Sequence, residues 1–247
     1  MLDHSDNYRV HEQPRISANQ LAEYALASPS RRQTIIRNAK YAPKFLVAMY
    51  NEARWSVCDF LVDGTRPVAK LHTAEINLKA KAAIAPTKFK ENKALLSAEA
   101  VASFAKTVAD TKQYTKNFSN LMFTRVNAPW EKLPMSGVQV SVQIDLISTN
   151  VPKGTCGGVI LQTSKAIAQK SWREEHSNYV TSLVWMSADD FLKSHGSVDR
   201  AACYSVDLFA GKMVNAPSNY KTRVKNLEAA CSEIHALWDN IQPPADL

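Results

Sequence analysis

The sequence predicts an α/β protein of the α+β kind, with a helical N-terminal half and a C-terminal mixed sheet flanked by helices. Three observations lead there. Residues 16–116 place apolar side chains at helical spacing in alanine- and lysine-rich surroundings. VQVSVQIDLI, from Val138 to Ile147, alternates apolar and polar with period two for most of its length, and GGVILQTS follows as a continuous apolar run suited to an interior strand. Tyr220, Val224, Leu227, Cys231, Ile234 and Trp238 then recur every three or four residues, the stripe of an amphipathic helix. The expected division is a loose leader over 1–15, a helical region over 16–116 and an α/β domain over 117–247.

In the helical half, Ser17 is placed to cap a helix through SANQLAEYALA, with Leu21, Tyr24 and Ala25 on one face. Ser28-Pro29 breaks it, and Pro29 is suited to open the next helix, SRRQTIIRNAKYA. A third helix is expected from Phe45 to Leu61, ended by the turn residues Asp63-Gly64-Thr65-Arg66-Pro67. Helices are expected at about 68–83 and 97–110, joined by the lysine-dense TKFKENK. In the C-terminal half, NLMFTRV reads as a short strand, and a long helix is expected from about Glu174 to Lys193. AACYSVDLFAGKMVNA reads as a strand, a tight turn at Gly211 and a return strand, before a last helix capped by Ser218.

Composition bounds the function. With 247 residues the chain can bury a sizeable core, and 45% hydrophobic residues are ordinary for a globular protein. Only seven glycines occur, and neither a Walker-type nor a dinucleotide-type glycine fingerprint is present. Cys58, Cys156, Cys203 and Cys231 lie far apart without a CxxC pair, so they read as buried thiols of a reducing, cytoplasmic compartment. No apolar run reaches the roughly 18 residues of a membrane span, so no membrane partner is expected.

The six histidines (His4, His11, His72, His176, His195, His235) form neither HxH nor HExxH, and GxSxG is absent. A pairing of Cys156 with a histidine is conceivable, but a turn cysteine needs no catalytic role. No metal ligand is assigned.

The net charge of +7 fits a polyanion partner. Two basic groups are candidates for DNA or RNA contact. The first is Arg31, Arg32, Arg37, Lys40 and Lys44, on two short helices joined tightly enough for a helix-turn-helix-like contact. The second is Lys79, Lys81, Lys88, Lys90 and Lys93. A solvated helical surface, or a face for a protein partner, accounts for the same residues.

From about residue 118 onward the order is strand, strand, strand, helix, strand, helix. Asp145 sits late in the second strand ahead of a hairpin, and VILQTSK ends the third in Thr163-Ser164-Lys165. This resembles the restriction-endonuclease-like core of the PD-(D/E)XK nuclease superfamily. The resemblance implies two carboxylates that hold magnesium and a lysine that orients the nucleophile, the second acid and lysine two apart so that both share one strand face.

With Thr163-Ser164-Lys165 in register with that tail, the second acid becomes Ile160 and the active lysine Gln162. Asp145, Gln162 and Lys165 are thus the catalytic positions of a degenerate site. Catalysis there would need an acid from elsewhere, such as Glu174, Glu175 or Asp207. Asp145 has a second reading, as a strand-end residue that caps a turn or pairs with a nearby lysine. SANQLAEYALASPSRRQTIIRNAKYAP in turn resembles the opening of uncharacterised bacterial proteins, a likeness that carries no function.

The expectation is a non-catalytic nucleic-acid-associated protein with a degraded nuclease-like core and no cofactor. The alternatives are a protein-interaction subunit of a bacterial complex and a magnesium-dependent nuclease.

Overall fold

A computed structural model describes residues 8–44, 49–110, 114, 118–126, 130–165 and 170–244. It is a mixed α+β protein in which helices cover both faces of one central sheet. In that sheet β4 (Leu121–Arg125), β7 (Leu146–Asn150) and β8 (Thr155–Gln162) form an antiparallel meander. The chain then crosses through helix α6 (Arg173–Phe191) to β10 (Tyr204–Asp207), which lies parallel to β8, and β11 (Lys212–Asn215) returns antiparallel at the edge. A parallel neighbour requires such a crossover, and a helix supplies it. The two-residue β9 (Ser197–Val198) pairs beside the start of β8.

Two cores flank the sheet. On one face α6 packs with α1 (Ala18–Leu26), α2 (Pro29–Lys40) and α7 (Tyr220–Leu237). A three-stranded sheet of β2 (Arg15–Ser17), β6 (Val138–Ser141) and β5 (Leu133–Met135) closes that side. On the other face lie α3 (Asn51–Val62), α4 (Val68–Ala83) and α5 (Lys88–Asp110). The N-terminal helices therefore serve both faces. Leu21, Tyr24 and Ile36 share a core with Leu183 and Ile234, while Phe60 and Phe104 pack with Leu161 and Val206.

Several expectations hold closely. α4 spans the expected residues, Pro29 opens α2, and Ser17 caps α1. Ser17 and Gln20 exchange bonds in a capping box, Gln20 N–H donating to Ser17 Oγ at 3.3 Å and Ser17 N–H to Gln20 Oε1 at 3.2 Å.

Others need correction. The leader is built in from Tyr8 onward: β1 (Tyr8–Val10) pairs with β3 (Tyr41–Pro43), and β2 runs parallel to β6. The Trp238 indole N–H donates to the carbonyls of His11 and Glu12, 3.1 Å from each, which ties this segment to the end of α7. α5 starts at Lys88, so most of TKFKENK is helix: Thr87 Oγ1 accepts from Lys90 N–H at 3.3 Å and caps the turn. The third helix starts at Asn51, and Phe45 lies outside the described residues. The last helix is not capped by Ser218. Asn219 precedes it, with its side-chain carbonyl bonded to Arg223 at 2.5 Å.

The correction that matters most concerns VQVSVQIDLI, which is two strands and not one. β6 belongs to the small sheet, residues 142–145 leave it, and β7 begins in the central sheet. Period-two burial runs through the break because Val140, Val142 and Ile144 bury in the first core and Leu146 in the second. Alternation alone therefore cannot reveal that the chain changes sheets. Asp145 stands at that change, where its N–H donates to Val159 O at 2.8 Å and its C=O accepts from Val126 N–H at 3.3 Å.

Candidate functional site

Asp145 meets an arginine. Arg54, in the first turn of α3, donates from Nε to Oδ1 and from Nη2 to Oδ2, both at 2.9 Å, in the two-pronged geometry that matches a planar guanidinium to a carboxylate. Oδ2 also accepts the Leu161 N–H at 2.7 Å, which extends the bonding of β8 beyond its pairing with β7. Both carboxylate oxygens thus accept hydrogen bonds inside the protein.

Gln162 and Lys165 do not join Asp145. Gln162 lies on the α6 side, where its Nε2 donates to Ser205 Oγ at 2.5 Å. Asp145 pairs with α3 on the opposite side of the sheet. Lys165 Nζ reaches Glu99 of α5 at 2.7 Å, in an exposed pair. The three positions implied by the nuclease resemblance therefore serve three separate contacts.

Around Gln162 lies a buried polar cluster at the C-terminal ends of β8 and β10 and the first turn of α6. Arg173 Nε donates to Asp207 Oδ2, and both side chains are almost wholly inaccessible. Asp207 Oδ1 accepts the N–H groups of Phe209 at 3.1 Å and Ala210 at 3.0 Å, which makes it the cap of the turn after β10. Of the recruited acids considered, Asp207 is bound in this way, while Glu174 pairs with Lys212 and Glu175 with Arg223.

His176, fully buried one turn along α6, places Nε2 3.0 Å from Asn19 O and Nδ1 3.4 Å from Arg173 Nη1. A proton on Nε2 satisfies the carbonyl and leaves Nδ1 free to accept from arginine. Burial first, and the Arg173 charge second, push this imidazole from 6.5 down to about 4. The unfolded chain therefore binds a proton before the folded one as pH falls. The contribution of neutral His176 to stability is complete above about pH 6.5 and is lost progressively toward pH 4. Acidification across that window is expected to cost the native protein about 3 kcal/mol more than His176→Gln, at about 1.4 kcal/mol for each tenfold difference in proton affinity between the folded and unfolded chains. Urea unfolding at pH 7.5 and pH 4.5 measures it, and equal losses in the two proteins would contradict the assignment.

All four cysteines are buried thiols, and burial pushes Cys58, Cys203 and Cys231 up to about 12. Cys156 is raised by the same cause. Among the described residues, no three His, Cys, Asp or Glu side chains converge as a metal-holding group, and no helix is long and apolar enough to cross a membrane.

The two basic groups differ in what they touch. In the α2 group, Arg31 pairs with Glu23 at 2.8 Å. Arg32 stacks over Tyr24 and reaches Glu233 at 3.2 Å. Lys40 donates to Trp238 O at 2.7 Å, holding the end of α7. These contacts dock α2 onto its neighbours. Arg37 is exposed and makes no ion pair among the described residues, and Lys44 lies just past β3.

The second group gathers at one end of the α4–α5 hairpin, because α4 finishes and α5 starts there. Residues 79–93 hold five lysines against one glutamate. Lys79 pairs with Glu75 at 2.6 Å, Lys81 with Glu52 at 2.8 Å and Lys88 with Glu91 at 2.9 Å, yet all three lysines remain mostly exposed. Exposed pairs of this kind contribute little to stability. Lys90 and Lys93 make no ion pair among the described residues.

Sequence reasoning missed Arg54, Arg173 and Trp55. The first two are ordinary helix arginines until the fold brings acids 91 and 34 residues away against them. Trp55 occupies a helix position that the apolar stripe of α3 does not use, and it is 58% exposed. That off-stripe aromatic was the one readable signal. Comparison with protein-family models and with curated proteins finds no match for this chain.

Proposed function

We propose that this protein is a non-catalytic nucleic-acid-associated protein, built on a nuclease-like core that no longer supports chemistry. It grips phosphates through the lysine-bearing end of the α4–α5 hairpin. One observation carries this reading. Lys79, Lys81, Lys88, Lys90 and Lys93 lie at one end of the α4–α5 hairpin, where Glu75, Glu52 and Glu91 pair with three of them and two lysines are left in excess. Such a corner presents a local positive field to a phosphate chain. The non-catalytic half of the reading rests on Arg54, whose guanidinium takes both oxygens of Asp145. The α2 group contributes less, since Lys40 is bonded to the Trp238 carbonyl and Arg32 is held between Tyr24 and Glu233, while Arg31 is a surface residue paired with Glu23.

A protein partner is the second reading, favoured by Ile76 on α4 and Ile84 just after it, which are 66% and 83% exposed beside the same lysines. Fluorescence anisotropy of labelled DNA in chelator separates the two. A nucleic-acid binder holds DNA at low salt and releases it steeply as salt rises, because each neutralised phosphate releases counterions. A protein-interaction subunit shows no such binding. Magnesium or manganese is expected to produce no cleavage, and cleavage abolished by Asp145→Ala would contradict the non-catalytic half.

A further inference from the structure

α3, α4 and the start of α5 enclose a groove of about 430 Å³ beside the lysine corner. That is the size range of small-ligand sites. The Trp55 indole lines it, with more than half its surface open to solvent. Leu78, which is buried, and Asn51, Asn77, Lys81 and Lys93 line it as well. Two acids also line the groove, and each is matched by a base. Glu52 pairs with Lys81 at 2.8 Å, and Asp59 pairs with Arg125 at 2.6 Å. Arg125 also donates to Trp55 O at 3.1 Å, which pins the backbone that carries the indole. Lys93 makes no ion pair among the described residues, so its ammonium is left for a ligand in the groove.

We infer that this groove receives a splayed base of a single-stranded nucleic acid, an assignment that rests on the nucleic-acid reading above. The base stacks on Trp55, and Lys81 and Lys93 pair with the flanking phosphates. Any base offers a π face, so the platform tolerates sequence. An amide presents both donor and acceptor, so Asn51 and Asn77 can meet the edge of more than one base. A duplex keeps its bases stacked and paired, and a concave site of this kind cannot reach them. The lysine corner alone would hold either form, whereas the groove favours the single strand.

The test uses the full chain, a labelled oligothymidylate and a duplex of equal length, in chelator at physiological salt. The native protein is expected to bind the single strand more tightly than the duplex. Trp55→Ala is expected to weaken single-strand binding about 5- to 150-fold, the range of one lost base stack, and to leave duplex binding within about twofold. Trp55→Phe keeps a ring and is expected to retain most of the affinity. The side chain is exposed, so both variants fold, and matched thermal unfolding verifies it. Unchanged single-strand binding by Trp55→Ala, or a preference for duplex, overturns the groove assignment and leaves the lysine corner standing. Failure of both probes to bind overturns the two together.

Discussion

Replacing Arg173 with methionine is expected to cost the fold about 3–5 kcal/mol, the penalty of removing one partner from a buried ion pair. Arg173 and Asp207 are each almost wholly buried, so the lone carboxylate gains no access to water. Two backbone N–H groups on Asp207 Oδ1 would remain, too few to replace a guanidinium. Asp207→Asn on top of Arg173→Met should recover part of the loss, since it removes the stranded charge. Urea unfolding at neutral pH measures both, analysed as a cycle. A loss below about 1 kcal/mol in Arg173→Met would mean that the cluster is open to solvent. The polar cluster at the strand ends would then be a reachable site instead of a structural joint.

The second large effect concerns Asp145. Asp145→Ala should destabilise the protein by about 2–4 kcal/mol, because it strands the Arg54 guanidinium and leaves the Leu161 N–H without its acceptor. Arg54 retains some exposure, which keeps the figure below that of a fully sealed pair. Arg54→Met should cost a comparable amount, and the double variant less than the sum, with about 1–3 kcal/mol of coupling. A catalytic aspartate behaves otherwise. Active sites hold residues that oppose stability, so removing one leaves the fold unharmed or firmer. Chemical denaturation of the three variants therefore separates the two roles without a substrate. An unchanged or raised midpoint in Asp145→Ala would overturn the structural assignment.

Much of the architecture was readable in residue pattern, because caps and apolar periodicity are local. Ser17 with Gln20, Pro29, and the stripe from Tyr220 to Trp238 each describe a turn or a face that forms within a few residues. The sheet was less legible. Val140, Val142, Ile144 and Leu146 keep a single alternation while the chain passes from one sheet to another, so the pattern records burial and not the identity of the partner strand.

The candidate site divides the same way. A turn cap or a pair with a nearby lysine was the structural reading of Asp145, and the partner is instead Arg54 on a helix 91 residues away. The lysines of residues 79–93 stood out by composition, whereas their gathering at one hairpin end depends on α5 starting nine residues before the alanine-rich run suggested. Thr87 explains that early start, and a lone capping threonine is a weak signal in a lysine-dense segment.

The most direct test of the nucleic-acid reading is the salt dependence of DNA affinity for the native protein and for a variant with Lys79, Lys81, Lys88, Lys90 and Lys93 all changed to Gln. Five phosphate contacts predict a slope of log affinity against log salt of about −4.5 for the native protein on duplex DNA, at about −0.9 per contact. The variant is expected to lose most of that slope while unfolding at the same temperature. Equal slopes for the two proteins would contradict the assignment of phosphate contact to the α4–α5 hairpin.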